Sequence, residues 1–190
     1  MQVEQTLILI KPDGVQRRLI GEIVRRFEMV GLKILALKML TATAEQAKAH
    51  YTFEGLIRSA EKSIAHQKSH GVDIKDTPNE LAEKLQRRLI AFITAGPVVA
   101  MILSGNRAVE MVRKLVGQTE PLTSAPGTIR GDWGHDSYEL SDASDRSIRN
   151  IVHASGTVDE ANYEIPIWFS KEEIQTYTLP IEETLYGKWG

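Results

Sequence analysis

The sequence contains no cysteine, which excludes disulfides and thiolate metal sites and fits a reducing compartment. It also lacks a long apolar run: Thr6 to Ile10 is followed at once by Lys11, Pro12 and Asp13, too short for a membrane span or a secretory signal. The expectation is a cytoplasmic protein. There is no basic excess, since the net charge is -2 and the pI is near 6.2. Nothing advertises nucleic acid, and any anion site has to be local. No cluster of carboxylates offers a cage for a hard cation. Repeats, low-complexity tracts and linker-like shifts of composition are missing too, so the 190 residues read as one domain, 1–190, large enough to bury its own core.

What is present is a regular order of elements. Gln5 to Ile10 reads as a strand, and the turn Pro12-Asp13-Gly14 leads to a helix from about Ile20 to Val30, whose apolar positions Ile20, Ile23, Val24 and Phe27 recur at helical spacing before Gly31. Leu32 to Leu40 alternates as a half-buried strand does. Thr43 caps a short helix ending near His50 and Tyr51. A long polar, helix-favouring stretch follows, broken at Gly71 and Pro78, after which Asn79 is expected to cap a helix running through Leu81, Leu85, Leu89 and Phe92. Pro97 to Leu103 suits a central strand, and Asn106 to Val116 a helix. Gly117 to Arg149 reads as a loop, Ile151 and Val152 as a short strand, and Val158 to Phe169 and Lys171 to Tyr177 as helices. This order is a split βαβ unit repeated. It predicts an α+β domain, a four-stranded antiparallel sheet with helices on one face.

Three blocks carry chemistry. The segment Asn150 to Ser155 sets His153 between amide and hydroxyl side chains, a setting for a nucleophilic imidazole able to hold a phosphoryl group. Far from it, TLILIKPDGVQRR delivers Lys11 at the end of an apolar run, and PGTIRGD brackets Arg130 between Pro and Gly. Cations and donors around a transferring group are what phosphoryl transfer requires. In order, KPDGVQRR, GPVVAMI, PGTIRGD, the NxxHxS pattern at Asn150 to Ser155 and the ending from Glu164 to Phe169 resemble the nucleoside diphosphate kinase family over nearly the whole chain.

The resemblance implies a ferredoxin-like βαββαβ fold and a ping-pong transfer of the γ-phosphoryl group of ATP or another NTP to an NDP through a phosphohistidine at His153. It assigns Glu164 as the carboxylate that orients the imidazole, Ser155 as a hydroxyl close to both, and Tyr51 as a tyrosine helping to hold lysine and histidine. Lys11, Arg113 and Arg130 match phosphate-contacting residues, the lysine as a point charge and Arg130 as a planar fork. Thr119 and Asn150 match the nucleotide-binding hydroxyl and amide. Magnesium is expected with the nucleotides, held mainly by phosphates and water, with no protein metal site. Homo-oligomers built from dimers, tetramer or hexamer, are implied as well, and the stretch Leu179 to Gly190 is a candidate for packing across subunits. On helical spacing alone, Glu164 and Arg113 read simply as exposed helix residues.

The chain departs from the family pattern in places. It is longer by roughly 25 residues between Tyr51 and Gly96 and by about 10 between Asp132 and Asn150, placing insertions at about 54–80 and 134–146. Leu85 falls where the family has a base-stacking phenylalanine; Phe53 is a possible substitute, and no stacking residue is assigned. Ala154 and Gly156 replace a glycine and an aspartate. His66 and His70 share a helical spacing without a completing carboxylate before Asp73, so no metal site is expected there. Lys84, Arg87 and Arg88 read as a solvated basic face, and Asp132 to Asp145 as an exposed acidic loop. Two other readings stand beside the kinase: a catalytically impaired nucleotide-binding regulator, and a nucleic-acid binder on the same fold, disfavoured because TLILI and VVAMIL carry no aromatics for base stacking.

Overall fold

The computed structural model describes residues 3–69 and 75–188. Four strands, β1 (Val3–Ile10), β2 (Lys33–Leu40), β3 (Val98–Asn106) and β4 (Val152–Ala154), form one sheet in the order β2-β3-β1-β4 with every pairing antiparallel. The two central strands are the apolar runs of the sequence, and Thr6 to Ile10 and Val98 to Ser104 are buried without interruption. A strand buried on both faces needs cover on both. The helices therefore do not lie on one face as expected but on two.

Leu7, Leu9, Ala100 and Ile102 pack with Ala47 of α3 (Ala44–His50), Ile93 of α5 (Pro78–Ile93), and Ala161, Ile165 and Trp168 of α9 (Val158–Trp168). Ile8, Ile10, Val99, Met101 and Leu103 point the other way. They meet Ile23 and Phe27 of α2 (Ile20–Met29) and Ala108, Val112 and Val116 of α6 (Ala108–Val116). Both faces of β1 and β3 are thus taken up by packing, and an RRM-type open sheet surface has no place here.

Local chemistry explains where several elements begin. Thr43 caps α3 as expected, its Oγ1 accepting from Gln46 N at 3.1 Å while Gln46 Oε1 accepts from Thr43 N. The cap of α5 is Thr77, not Asn79: Thr77-Pro78-Asn79-Glu80 is a capping box with proline in the first turn, a stronger start signal than a lone asparagine. Pro12-Asp13-Gly14 is not a simple turn but the start of a one-turn helix, α1 (Pro12–Gln16). In the stretch read as a loop, Thr128 caps α7 (Ile129–Trp133) and Ser137 caps α8 (Tyr138–Ala143). These helices are too short for a periodic pattern to register.

The expected helix Lys171 to Tyr177 is only a 3-10 turn, Lys171–Glu173. Beyond it the chain lies against β2, with Gln175 N donating to Leu35 O at 2.8 Å and Tyr177 Oη to Ile34 O at 2.7 Å. Those carbonyls sit at the irregularity between Ile34 and Ala36, where β2 shifts register against β3. The C-terminal helix α10 (Ile181–Tyr186) also docks on its own chain. Lys33 Nζ reaches Glu182 Oε1 at 2.7 Å, and Leu185 covers Gly31, whose φ of 84° and lack of a side chain make room for it.

The inserted residues form α4 (Phe53–Ser69), which pairs with α5, and α8. α8 meets α5. Arg88 Nη1 donates to Asp142 Oδ1 at 2.7 Å and its Nε to Asp145 Oδ1 at 2.9 Å, while Lys84 holds Asp76. Arg87 and Arg88 of the basic face are therefore ion-paired with the acidic loop rather than merely solvated, because the fold brings the second insertion against α5. The side chain of His66, and His70, Gly71 and Asp73 entire, lie outside the described residues, as does Trp189.

Candidate active site

His153 is the middle residue of β4, opposite Leu9 of β1. Strand alternation sends Val152 and Ala154 into the α2/α6 side of the core and His153 to the other face, where α3 and α9 pack. Ile151, expected in this strand with Val152, lies outside β4. Ile151 has φ 71°, and Val152 N donates to Asn150 O at 2.7 Å around it, a three-residue γ-turn with positive φ. A β-branched residue in that region is strained, by about 1–3 kcal/mol. Hydrogen bonds on both sides hold it: Ile151 N donates to Asp13 Oδ2 at 3.0 Å, and Ile151 O accepts from Lys11 N at 2.8 Å. The turn carries the chain from Asn150 to His153 over the C-terminal end of β1, where Lys11 begins.

Glu164 Oε2 lies 3.1 Å and Oε1 3.0 Å from His153 Nε2, and Ser155 Oγ donates to Oε2 at 2.6 Å. A carboxylate only accepts, so Nε2 of His153 carries the hydrogen and Nδ1 is left with a free lone pair. Ser155 is fully buried and also accepts from Leu7 N at 3.3 Å, which fixes it to β1. Burial works to raise the pKa of Glu164, but the charge and hydrogen bond of His153, with His50 and Ser155, outweigh it and hold the carboxyl at about 2. Glu164 is therefore anionic throughout the working pH range.

His50 and Tyr51 end α3 beside this pair. The His50 ring meets His153 edge-on with centroids 4.4 Å apart, and Tyr51 meets His50 at 4.6 Å. Trp168 Nε1 donates to His50 Nδ1 at 3.3 Å. Burial, then the charge of Glu164, pushes the Tyr51 hydroxyl far above its ordinary pKa, so it remains a phenol.

Lys11 Nζ donates to Asn150 Oδ1 at 2.8 Å, and Asn150 Nδ2 donates to Thr119 O at 2.8 Å. Burial, then the charge of Arg130, lowers the pKa of Lys11 to about 8 against the opposing pull of Asp13. Arg130 is turned largely onto the backbone. Its Nε and Nη2 donate to Asn150 O and Val152 O at 3.2 and 2.6 Å, and its Nη1 to Gly117 O and Gln118 O at 3.1 and 2.9 Å. Of an arginine's five N–H groups, four are so used, and one Nη2 hydrogen is left for a ligand. Burial, then Arg113, lowers its pKa to about 10, leaving it charged near neutrality. Arg113 and the Thr119 side chain are exposed. Arg113 lines a second cavity, of about 320 Å³, with Lys114, Gly117, Gln118, Ala125 and Thr128.

A cleft of about 220 Å³ opens between α5 and the chain leading to Asn150, with Arg88 and Phe92 on one wall and Asp145, Ser147 and Arg149 on the other. The Phe92 ring lies 5.7 Å from Lys11 Nζ, so the cleft adjoins the cationic centre. Neither Leu85 nor Phe53 lines it. Of the two replaced positions, Ala154 is buried in the core, and Gly156 N donates to Glu160 Oε2 at 2.7 Å.

Sequence-predicted Lys11, Tyr51, Arg130, Asn150, His153, Ser155 and Glu164 thus come together around the ends of β1 and β4. Asp13, His50, Phe92 and Trp168 were not assigned roles from the sequence. His50 and Trp168 sat within quoted patterns, whereas nothing local to Asp13 or Phe92 marks a contact across the fold.

A family model described as nucleoside diphosphate kinase matches residues 4–73 and 78–174. The nucleoside diphosphate kinase of Pyrobaculum aerophilum is 46% identical over 181 residues, covering 92% of this chain and 99% of that protein. That of Borreliella burgdorferi is 40% identical over 177 residues, covering 93% of each. Among solved structures, an NDP kinase from Pyrobaculum aerophilum superposes with TM-score 0.85 at 43% identity, over 92% of this chain and all (100%) of that one. A transition-state mimic of the nucleoside-diphosphate kinase from Borrelia burgdorferi, with bound vanadate and ADP, gives TM-score 0.84 at 38% identity, over 98% of both chains. With the matched sheet, the family model and these identities, the chain belongs to the nucleoside diphosphate kinase family.

Proposed function

We propose that His153 Nδ1 is the atom through which this phosphotransferase moves a phosphoryl group from a nucleoside triphosphate to a nucleoside diphosphate. The observation that carries the reading is the Glu164 carboxylate on His153 Nε2, which fixes the tautomer with its lone pair on Nδ1. In the first half-reaction that lone pair forms a bond to the γ-phosphorus, the bond from phosphorus to the β,γ-bridging oxygen breaks, and the nucleoside diphosphate leaves with the electron pair. The acceptor diphosphate reverses the step. As the imidazole becomes a phosphorylated cation, Glu164 stabilises the charge, and Ser155 keeps the carboxylate aimed.

Lys11 and the remaining N–H of Arg130 face charge developing on the transferring group, with Arg113 contributing from the exposed side. Asn150 and Thr119 are read as holding the sugar and phosphates, and the cleft along α5 as holding the rest of the nucleoside. Tyr51 packs the His50 ring against His153.

Members of the family use a divalent metal. Near Lys11, Asp13 is spent on Ile151 N, its other oxygen is buried, and Glu164 is spent on His153 and Ser155. An ion that wants six oxygens finds no ready cage in these groups. Magnesium fits instead as an ion carried on the substrate phosphates and water, where it shields polyphosphate charge.

The test is incubation with γ-labelled ATP and magnesium. Acid-labile, alkali-stable label that passes to added GDP or CDP is expected; bound ATP with no label would move the chain to the regulator reading. Glu164→Gln keeps the shape but not the charge, and its phosphorylation rate should fall by roughly 10²-fold with nucleotide affinity little changed. An unaltered rate measured by rapid quench rejects the orienting role.

We read residues 1–190 as one kinase domain with insertions at about 54–80 and 134–146, working in the cytoplasm as a homo-oligomer built from dimers. Ile181, Leu185 and Tyr186 of α10 remain substantially exposed on their own chain. Removing residues 179–190 should therefore lower the mass measured by light scattering, and an unchanged mass would exclude this tail from the interface.

A further inference from the structure

His50 is a buried imidazole with no part in the transfer chemistry itself. Its Nδ1 stands 3.7 Å from Glu164 Oε1 and accepts from Trp168 Nε1, while its Nε2 is buried without a hydrogen-bond partner. Accepting from Trp168 leaves the His50 lone pair on Nδ1, the nitrogen that faces Glu164. His50, His153 and Glu164 each offer one ligand atom, all within 4.8 Å of one another. Bonds of about 2.0–2.1 Å to a tetrahedral ion set its ligands roughly 3.3 Å apart. The separations from Glu164 Oε1, 3.0 Å to His153 Nε2 and 3.7 Å to His50 Nδ1, lie on either side of that value. Two imidazoles and a carboxylate are a donor set for zinc, copper(II) or cobalt(II), and a poor one for magnesium.

We propose that His50, His153 and Glu164 form a binding site for one zinc-class divalent cation, which switches off the nucleophile. The ion takes the Nε2 lone pair of His153, and the displaced proton moves to Nδ1. The lone pair that attacks phosphorus is then occupied by hydrogen, with no net release of a proton. The His153 side chain is 20% exposed, which lets water fill a fourth position. Trp168 Nε1 loses its acceptor, and this cost keeps the affinity below that of a closed structural zinc site. The effect on turnover rests on His153 being the nucleophile; the binding does not.

Metal-stripped protein without nucleotide is titrated with Co²⁺, followed by visible absorption, and with Zn²⁺ by calorimetry. One ion per chain and a four-coordinate cobalt spectrum are expected, with affinity at least about 10-fold weaker in His50→Gln. Wild-type protein phosphorylated on Nδ1 has its proton fixed on Nε2, and it should lose the cobalt signal with no mutation. In the magnesium-nucleotide assay, zinc should inhibit wild type at concentrations at least about 10-fold below those that inhibit His50→Gln. Absence of the four-coordinate spectrum, or equal affinity in wild type, variant and phosphoenzyme, overturns the site. Binding that leaves turnover intact overturns the switch and counts against Nδ1 as nucleophile.

Discussion

His153→Ala should lower kcat/KM by about 10⁴-fold or more, about 5 kcal/mol of transition-state stabilisation, and should abolish the acid-labile label entirely. The size follows from what is lost. Glu164, Ser155 and Lys11 are arranged to orient or assist an imidazole, and no other side chain in the cluster replaces it: His50 is held neutral against Trp168, and Ser155 gives its hydrogen to Glu164. Nucleotide binding should survive, because the Lys11–Asn150–Thr119 chain and the Arg130 contacts to the backbone do not pass through His153. The fold should survive as well, since Glu164 keeps its 2.6 Å bond to Ser155. The checks are turnover, label retained after alkali, ATP affinity by calorimetry and thermal melting on one preparation. A variant that still takes up alkali-stable label would place the phosphoryl group on another residue and overturn the reading of the site.

The order of elements was legible because each strand and long helix carries its own periodicity. The apolar runs at Thr6 to Ile10 and Val98 to Leu103 were readable as strands, the second as a central one, and both are buried without interruption. The same continuity also implied two covered faces, an implication the one-layer expectation missed. Short helices at Pro12, Ile129 and Tyr138 escaped because five or six residues span barely more than a turn and are fixed by a cap or by tertiary contact. Reading Lys171 to Tyr177 as a helix failed for a related reason: the backbone there donates sideways to Leu35 O rather than along itself.

Site residues were legible as types through the family resemblance, but their partners were not. Arg130 was read as a phosphate fork, yet most of that fork is turned on the carbonyls of Gly117, Gln118, Asn150 and Val152. Through the carbonyls of Asn150 and Val152 it ties down the γ-turn that presents His153. Such a role depends on where backbone carbonyls converge, which side-chain identity does not encode. The pairing of Arg88 with Asp142 and Asp145 is similar, since each half alone is an ordinary charged surface.

Lys11 should show opposite pH trends in activity and in stability. It is only 5% exposed, and its pKa is lowered to about 8, first by burial and then by Arg130. In the free enzyme the ammonium charge is lost as pH rises through that value, so kcat/KM should fall toward tenfold per unit above about pH 8. Bound phosphates favour the charged form, and kcat should stay level to a higher pH. Lys11→Met removes the charge at every pH; kcat/KM should drop by about 10²–10³-fold, and the alkaline limb assigned to this residue should vanish.

Stability runs the other way. Between about pH 8 and the ordinary lysine value of 10.5, the unfolded chain binds more protons at this position than the folded one. Folding should therefore gain from Lys11 as pH rises across that window, whereas below it the buried charge is a full cost. Urea unfolding of wild type and Lys11→Met isolates the term, because the other lysines and tyrosines titrate in both. The stability difference in favour of the variant should shrink from pH 8 upward while the activity difference also narrows. If the stability difference is flat across the window and kcat/KM shows no alkaline limb, the lysine keeps an ordinary pKa. The site would then hold Lys11 in water rather than against Asn150 and Phe92.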